Sequence, residues 1–241
     1  MIDFGFQRSS YDHCLYFSED VFLLLFVDDG LVTGNEEKVQ KLMEYLYKIF
    51  KMKIILDEAD VYLGLKITRD QNKLKITQSR IIDRILEEFR MDHCRNVSTL
   101  METGFQIEQE PQIENVPYRR LVCSLMYLAL MTRPDLLFSV ALLSRFLDRP
   151  TRQTWTAAKR ILRYLSATKD LGLVFRKGDP SLICFSDADW AGDQTSRKSV
   201  SGFVAFGGPN VIAWHSKSVL VLRFLQWMQS IMQPQSPHKR L

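Results

Sequence analysis

Residues 21–27 are apolar at every position and stop abruptly at Asp28-Asp29-Gly30. An unbroken short apolar run predicts a strand buried on both faces. Leu31-Val32-Thr33 then predicts the returning strand of a hairpin. A short strand is predicted over residues 14–17, with a turn at Ser18-Glu19-Asp20. Downstream, Gly34-Asn35-Glu36-Glu37 has the chemistry of a helix start, an N-cap followed by acids in the first turn. Val39, Leu42, Met43, Leu46, Ile49 and Phe50 continue it as one apolar helical face. Residues 61–69 and 73–77 predict a second hairpin around Asp70-Gln71-Asn72. Ile81, Ile82, Ile85, Leu86 and Phe89 predict a second helix.

The pattern lapses over residues 95–117, which are polar, hold two prolines and show no period, as an exposed linker would. Helices are predicted over residues 118–131, 135–147 and 151–165, the first two separated by Arg133-Pro134. The third has an apolar seam of Trp155, Ala158, Leu162 and Leu165. Arg152, Lys159 and Arg163 share another face of that helix, which is either a solvated face or a phosphate-facing surface. Strands return at residues 172–176, 182–186, 199–206 and 211–214, with turns at Gly178-Asp179-Pro180 and Gly207-Gly208-Pro209-Asn210. Residues 182–186 are expected beside residues 199–206, antiparallel. Residues 219–232 are compatible with a helix, and the proline-interrupted end with disorder. The fold class is α+β.

Composition narrows the picture only a little. With 46% apolar and 25% charged residues, the 241-residue chain is ordinary for a globular protein, which excludes a fibrous or disordered one. A net charge of +4 permits a nucleic-acid partner without demanding one. Cys14, Cys94, Cys123 and Cys184 have no zinc-site spacing and read as buried free thiols in a reducing compartment. No apolar segment approaches the roughly 18 residues of a spanning helix, so no membrane partner is expected. The start lacks the basic and apolar regions of a signal peptide, which predicts an intracellular protein, cytoplasmic or nuclear.

Two places could carry chemistry. Adjacent carboxylates at the mouth of an apolar strand are costly unless a cation neutralises them, and hard oxygen ligands suit magnesium. Asp28 and Asp29 therefore read either as metal ligands for two-metal nucleotidyl transfer or as an acidic turn. Leu182-Ile183-Cys184-Phe185 reads as a buried strand that delivers Asp187 to a strand end, where it is a metal ligand, an N-cap or a turn carboxylate. Asp189 and Asp193 read as loop acids.

The chain resembles copia-type retrotransposon Pol polyproteins. Phe26-Val27-Asp28-Asp29 is similar to their YVDD box, and residues 5–16 to its lead-in. Tyr62-Leu63-Gly64-Leu65-Lys66-Ile67 resembles the strand after the polymerase palm. Residues 119–128 and Thr132-Arg133-Pro134-Asp135 resemble the connection region. Phe185-Ser186-Asp187-Ala188-Asp189-Trp190-Ala191-Gly192-Asp193 with Ser201-Gly202-Phe203 resembles the opening of the ribonuclease H domain.

The resemblance implies a palm remnant with following elements over residues 1–94, a linker over 95–117 and a helical connection over 118–165. An incomplete ribonuclease H-like domain over 166–218 and an aberrant tail over 219–241 complete it. It makes Asp28 and Asp29 the metal pair of a reverse transcriptase and Asp187 the first carboxylate of ribonuclease H, with Mg2+ as cofactor. It also implies a primed template or RNA/DNA hybrid as partner.

The family's third palm carboxylate lies well upstream of its YVDD box, and this chain begins 27 residues before Asp28. No acid follows Asp193, where the family has a helix carrying a glutamate ligand. The expectation is a fragment inactive alone, with a non-enzymatic nucleic-acid-binding or interaction protein as the alternative. The tail is further expected to be read out of frame. Shifted codons from Trp227 to Gln233 give Asp-Ala-Lys/Glu-Tyr and a later alanine if Ser230 is the AGY codon AGT. The family has Glu-Ala-Glu-Tyr-x-Ala there.

Overall fold

The computed structural model describes residues 5–51, 60–102, 104–105, 110–179, 181–188 and 199–219. The chain divides into two compact units, Met1–Ile67 and Thr68–Leu241.

The first unit holds an antiparallel sheet in the order β1 (Gln7–Arg8), β2 (Leu15–Phe17), β3 (Val21–Phe26) and β4 (Asp29–Gly34). Helix α1 (Glu36–Phe50) starts where the sequence predicts, because the Asn35 side chain accepts from the Lys38 amide at 3.2 Å. Glu36 and Glu37 sit in its first turn, where the helix dipole favours negative charge. Its buried residues Leu42 and Leu46 join Phe6, Val21 and Leu23 in a small core. An ion pair between Lys38 and Asp20 fastens the helix start to the turn before β3.

Burial in β3 corrects the sequence reading. Val21 and Leu23 are buried, whereas Phe22 is 49% and Phe26 53% exposed. The strand is apolar throughout, yet only alternate residues reach the core that α1 completes. The predicted second hairpin is also subdivided. β5 (Val61–Tyr62) turns back on β6 (Leu65–Asp70) through Leu63-Gly64, both at positive φ. A two-residue turn of that conformation matches the twist of a tight hairpin. The boundary between the units falls inside β6.

In the second unit, Gln71-Asn72 leads into β7 (Lys73–Thr77) and then α2 (Ser79–Glu88). Three further helices follow: α3 (Tyr118–Met131), α4 (Leu137–Ser144) and α5 (Arg152–Ala167). A 3-10 turn, Pro134–Leu136, precedes α4, which is shorter than the predicted helix over 135–147. Helix α5 is set by a capping box in which Thr151 and Thr154 satisfy each other's amides at 3.2 and 2.9 Å. All four helices contribute to one core, with Ile82, Leu125, Val140 and Leu162 fully buried. Leu162 and Leu165 lie in it as the seam predicts, and Ile161 widens the seam.

Residues 95–117 are irregular, as expected, but they do not form an exposed linker throughout. Leu100, Met101, Phe105 and Val116 pack against the helical core. Arg160 of α5 donates to Glu102 at 3.1 Å and to Thr99 at 2.9 Å, and the Ile113 amide donates to Pro150 at 2.8 Å. The polar composition hid a few apolar anchors spaced too widely to show a period.

The last strands are β8 (Gly172–Arg176), β9 (Leu182–Ala188), β10 (Ser199–Gly207) and β11 (Asn210–Val219). β9 and β10 are antiparallel as predicted, with Gly202 opposite Asp187 and Gly207 opposite Leu182. The sheet order is β11-β10-β9. β8 is not in that sheet. It pairs antiparallel with β7, Lys73 opposite Arg176 and Thr77 opposite Gly172.

Nor are residues 182–185 a buried run: Leu182 is 72%, Ile183 48% and Phe185 64% exposed. Among the described residues β9 lies at a sheet edge, with β10 as its one strand neighbour. The four cysteines are free, as expected, but not buried; Cys14, Cys123 and Cys184 are exposed and Cys94 is half-buried. Among the described residues no helix is long and apolar enough to cross a membrane. The expected helix over 219–232 begins on the last residue of β11 and otherwise lies outside the described residues, as do Asp189, Asp193 and the frameshift region.

Candidate functional site

The two sequence-predicted acidic positions belong to different units. In the first unit, Phe26 pairs with Asp29 across the β3–β4 hairpin, leaving Val27 and Asp28 as the two turn residues. Val27 takes the left-handed conformation at φ 52° and is 88% exposed, a cost for a β-branched residue that the tight turn imposes. Asp28 therefore stands at the hairpin apex and Asp29 opens β4, both exposed.

Tyr62 of β5 lies within electrostatic reach of Asp29. Its hydroxyl is buried and has no hydrogen-bond partner. Burial first, then the charge of Asp29 and of Cys14, pushes the phenol pKa above its ordinary value. Sequence reasoning gave Tyr62 no role, because nothing in a strand pattern reveals a hydroxyl folded toward a turn acid.

The carboxylates supply the hard oxygen donors a divalent cation such as magnesium takes. Their number is small. Among the described residues no three His, Cys, Asp or Glu side chains come together as a metal-binding group.

In the second unit, Asp187 is the penultimate residue of β9 rather than its end. The opposed residue on β10 is Gly202, which puts no side chain beside it. Asp187 lines a groove of about 420 Å³ with Pro134, Phe138, Phe185, Val204 and Trp214. Beside it, the Trp214 indole donates to the Ala129 carbonyl at 2.9 Å, which ties β11 to α3.

On α5, Arg152 is exposed at the first helical turn. Lys159 lies 5.4 Å from the centroid of the Trp155 ring. Arg163 donates to the Arg95 carbonyl at 2.6 Å, so part of its donor capacity is spent within the fold. Sequence reasoning missed Arg160, which lies between them and holds the irregular segment.

Comparison with known proteins gives these positions a context. The family profile described as "Reverse transcriptase (RNA-dependent DNA polymerase)" matches residues 1–103. The Pol polyprotein of transposon TNT 1-94 from Nicotiana tabacum is 40% identical over 223 residues, 86% of this chain and 17% of that protein. That of transposon RE2 from Arabidopsis thaliana is 34% identical over 226 residues, 90% of this chain and 15% of that protein. An uncharacterized mitochondrial protein of Arabidopsis thaliana is 31% identical over 201 residues and is covered over 83% of its length.

The chain belongs to the copia-type retrotransposon Pol family. It spans 15–17% of the length of the Pol polyproteins it matches. The Pol likeness over 90% of the chain takes in both Asp28-Asp29 and Asp187, since omitting either end that far would lose more than a tenth of the residues. No solved structure matches the chain.

Proposed function

We propose that this chain is a reverse transcriptase and ribonuclease H-like fragment of a Pol polyprotein, with Asp28 and Asp29 as metal-binding carboxylates of its polymerase part. The observation that carries this reading is the exposed Asp28-Asp29 pair at the apex of a tight hairpin, in a chain of this family. A divalent cation there would supply Lewis-acid activation of a 3′-oxygen and charge stabilisation of the leaving pyrophosphate. Asp28 and Asp29 would hold it, and the rigid hairpin would fix their positions.

Asp187 is the corresponding carboxylate of the ribonuclease H-like part. Its support is the antiparallel β9–β10 pairing and the groove beside it. The nucleic-acid partner is a primed template or a hybrid, bound in part by Arg152, Lys159 and Arg163. The connection over residues 118–165 and the remnants on either side keep the boundaries read from the sequence.

Expressed as these 241 residues alone, the fragment is inactive. A two-metal site uses more carboxylates than the two that the hairpin presents. The test is primer extension with Mg2+ on a primed RNA template, for which no product is expected. Extension that Asp28→Asn abolishes would overturn the inactivity. Binding to an RNA/DNA hybrid should weaken linearly in log affinity with log salt, and less steeply after substitution of Arg152, Lys159 and Arg163 by alanine. Binding indifferent to salt would count against the assigned partner.

A further inference from the structure

We propose that Ser98 is a phosphorylation site for a serine kinase that reads an arginine three residues before its acceptor, and that the phosphate pairs with Arg163. Of the serines and threonines in the sequence, Ser98 and Ser166 follow an arginine at that spacing, Arg95 and Arg163 respectively. A kinase selects its substrate by such charge patterns and takes the chain in an extended form. Ser166 lies inside α5, where the backbone is committed to helical hydrogen bonds. Ser98 is exposed on the irregular stretch before α3, and Arg95 and Asn96 are exposed with it. Among the described residues the Arg95 guanidinium has no hydrogen-bond or ion-pair partner, so it is open to the kinase.

Two cations of α5 already lie against this stretch. Arg160 donates to the hydroxyl of Thr99, the next residue, at 2.9 Å and to Glu102 at 3.1 Å. Arg163, its neighbour on the helix surface, donates from Nε to the Arg95 carbonyl at 2.6 Å. Ser98 thus sits between the two points at which α5 holds the segment. Glu102 occupies one end of Arg160, whereas the terminal nitrogens of Arg163 have no partner among the described residues. A phosphoserine carries a charge of about −1.5 to −2 at pH 7 and three acceptor oxygens. A guanidinium meets two such oxygens as a fork, with bonds about twice as strong as those to a neutral carbonyl. In the transfer, the Ser98 Oγ–P bond forms as the γ-phosphoryl group of ATP leaves ADP, and the hydroxyl proton passes to the aspartate of the kinase. The modification fastens residues 95–102 to α5.

The test treats the full folded chain with ATP and a kinase of that specificity. Peptide mass mapping should place phosphate on Ser98, and Ser98→Ala should lose it. The pairing is read from the phosphorus-31 resonance of the modified chain. A free phosphoserine takes up its second proton near pH 6, and a paired guanidinium should lower that midpoint by about one unit. Arg163→Gln should raise the midpoint back toward that of the same phosphorylated chain unfolded in urea, a reference that needs no substitution. Far-ultraviolet circular dichroism checks that Arg163→Gln stays folded. A folded chain that takes no phosphate at Ser98 overturns the site. A Ser98 phosphate that titrates alike in the folded parent and in urea overturns the pairing, as does one indifferent to Arg163→Gln.

Discussion

Arg133 and Asp135 meet through two parallel hydrogen bonds, Nε to Oδ1 at 3.0 Å and Nη2 to Oδ2 at 2.8 Å. The arginine is 1% exposed. Its remaining donors reach the Thr168 carbonyl at 3.0 Å and the Thr168 hydroxyl at 2.9 Å. Tyr164 completes the cluster, its hydroxyl donating to Asp135 at 3.0 Å and its ring lying 5.6 Å from the guanidinium carbon. The end of α3, the start of α4 and the end of α5 thus share one buried cation.

Asp135→Ala should destabilise the second unit by about 3–5 kcal/mol, because it leaves that guanidinium buried without its counter-charge. Urea unfolding followed by circular dichroism measures this. A loss below about 1 kcal/mol would show that water replaces the carboxylate.

Tyr118 is 1% exposed, and its hydroxyl donates to the Leu143 carbonyl at 2.8 Å. Burial pushes its pKa from 10.0 up to about 12. The folded chain therefore holds this proton more tightly than the unfolded chain. The associated stability is complete below pH 10.0 and is lost as pH rises toward about 12. Compared with the parent, Tyr118→Phe should show a shallower fall in unfolding free energy across that window, by up to about 3 kcal/mol. At neutral pH it should cost about 1 kcal/mol for the lost hydrogen bond.

Gly34 ends β4 at φ 146°, and a Cβ there would lie 2.1 Å from the Asp20 carbonyl oxygen. Both the conformation and the space require glycine. Gly34→Ala should destabilise the first unit by more than about 2 kcal/mol, while Gly104→Ala, which meets nothing within 4 Å, should cost far less despite its positive φ. Thermal melts of the two variants make the comparison.

The Tyr62 hydroxyl is buried with nothing to bond to, which opposes folding. Tyr62→Phe should leave the first unit as stable as the parent, or more stable by up to about 1 kcal/mol. A clear loss of stability would mean that the hydroxyl finds an acceptor in solution, with Asp29, whose charge acts on it, the first candidate.

The Asp28 hairpin was legible because its signals are local: an apolar run, two turn residues and a helix cap lie within a few positions. One-sided burial of β3 was not, since a continuous apolar run looks the same whether one face or two is covered. The position of β8 was beyond any local pattern. Its partner β7 lies on the far side of four helices, and the strand's composition carries no address for it. The buried Arg133 was equally hidden, because an arginine next to a proline reads as a break between helices. Of the sites, the acids were visible as residue types. The groove at Asp187 was not, because Phe138 and Phe185 come together only when α4 meets the sheet.

The β7–β8 pairing sets Lys73 beside Arg176, so the stretch containing α2, α3, α4 and α5 begins and ends at neighbouring points. Chain segments of that kind tolerate having their ends joined and new ends opened elsewhere. A circular permutant that links residue 176 to residue 73 and opens within the exposed bend at residues 148–149 would retain every strand and helix of that module. In evolutionary terms, the helical module is a cassette whose ends already meet, transferable without stretching whatever chain receives it.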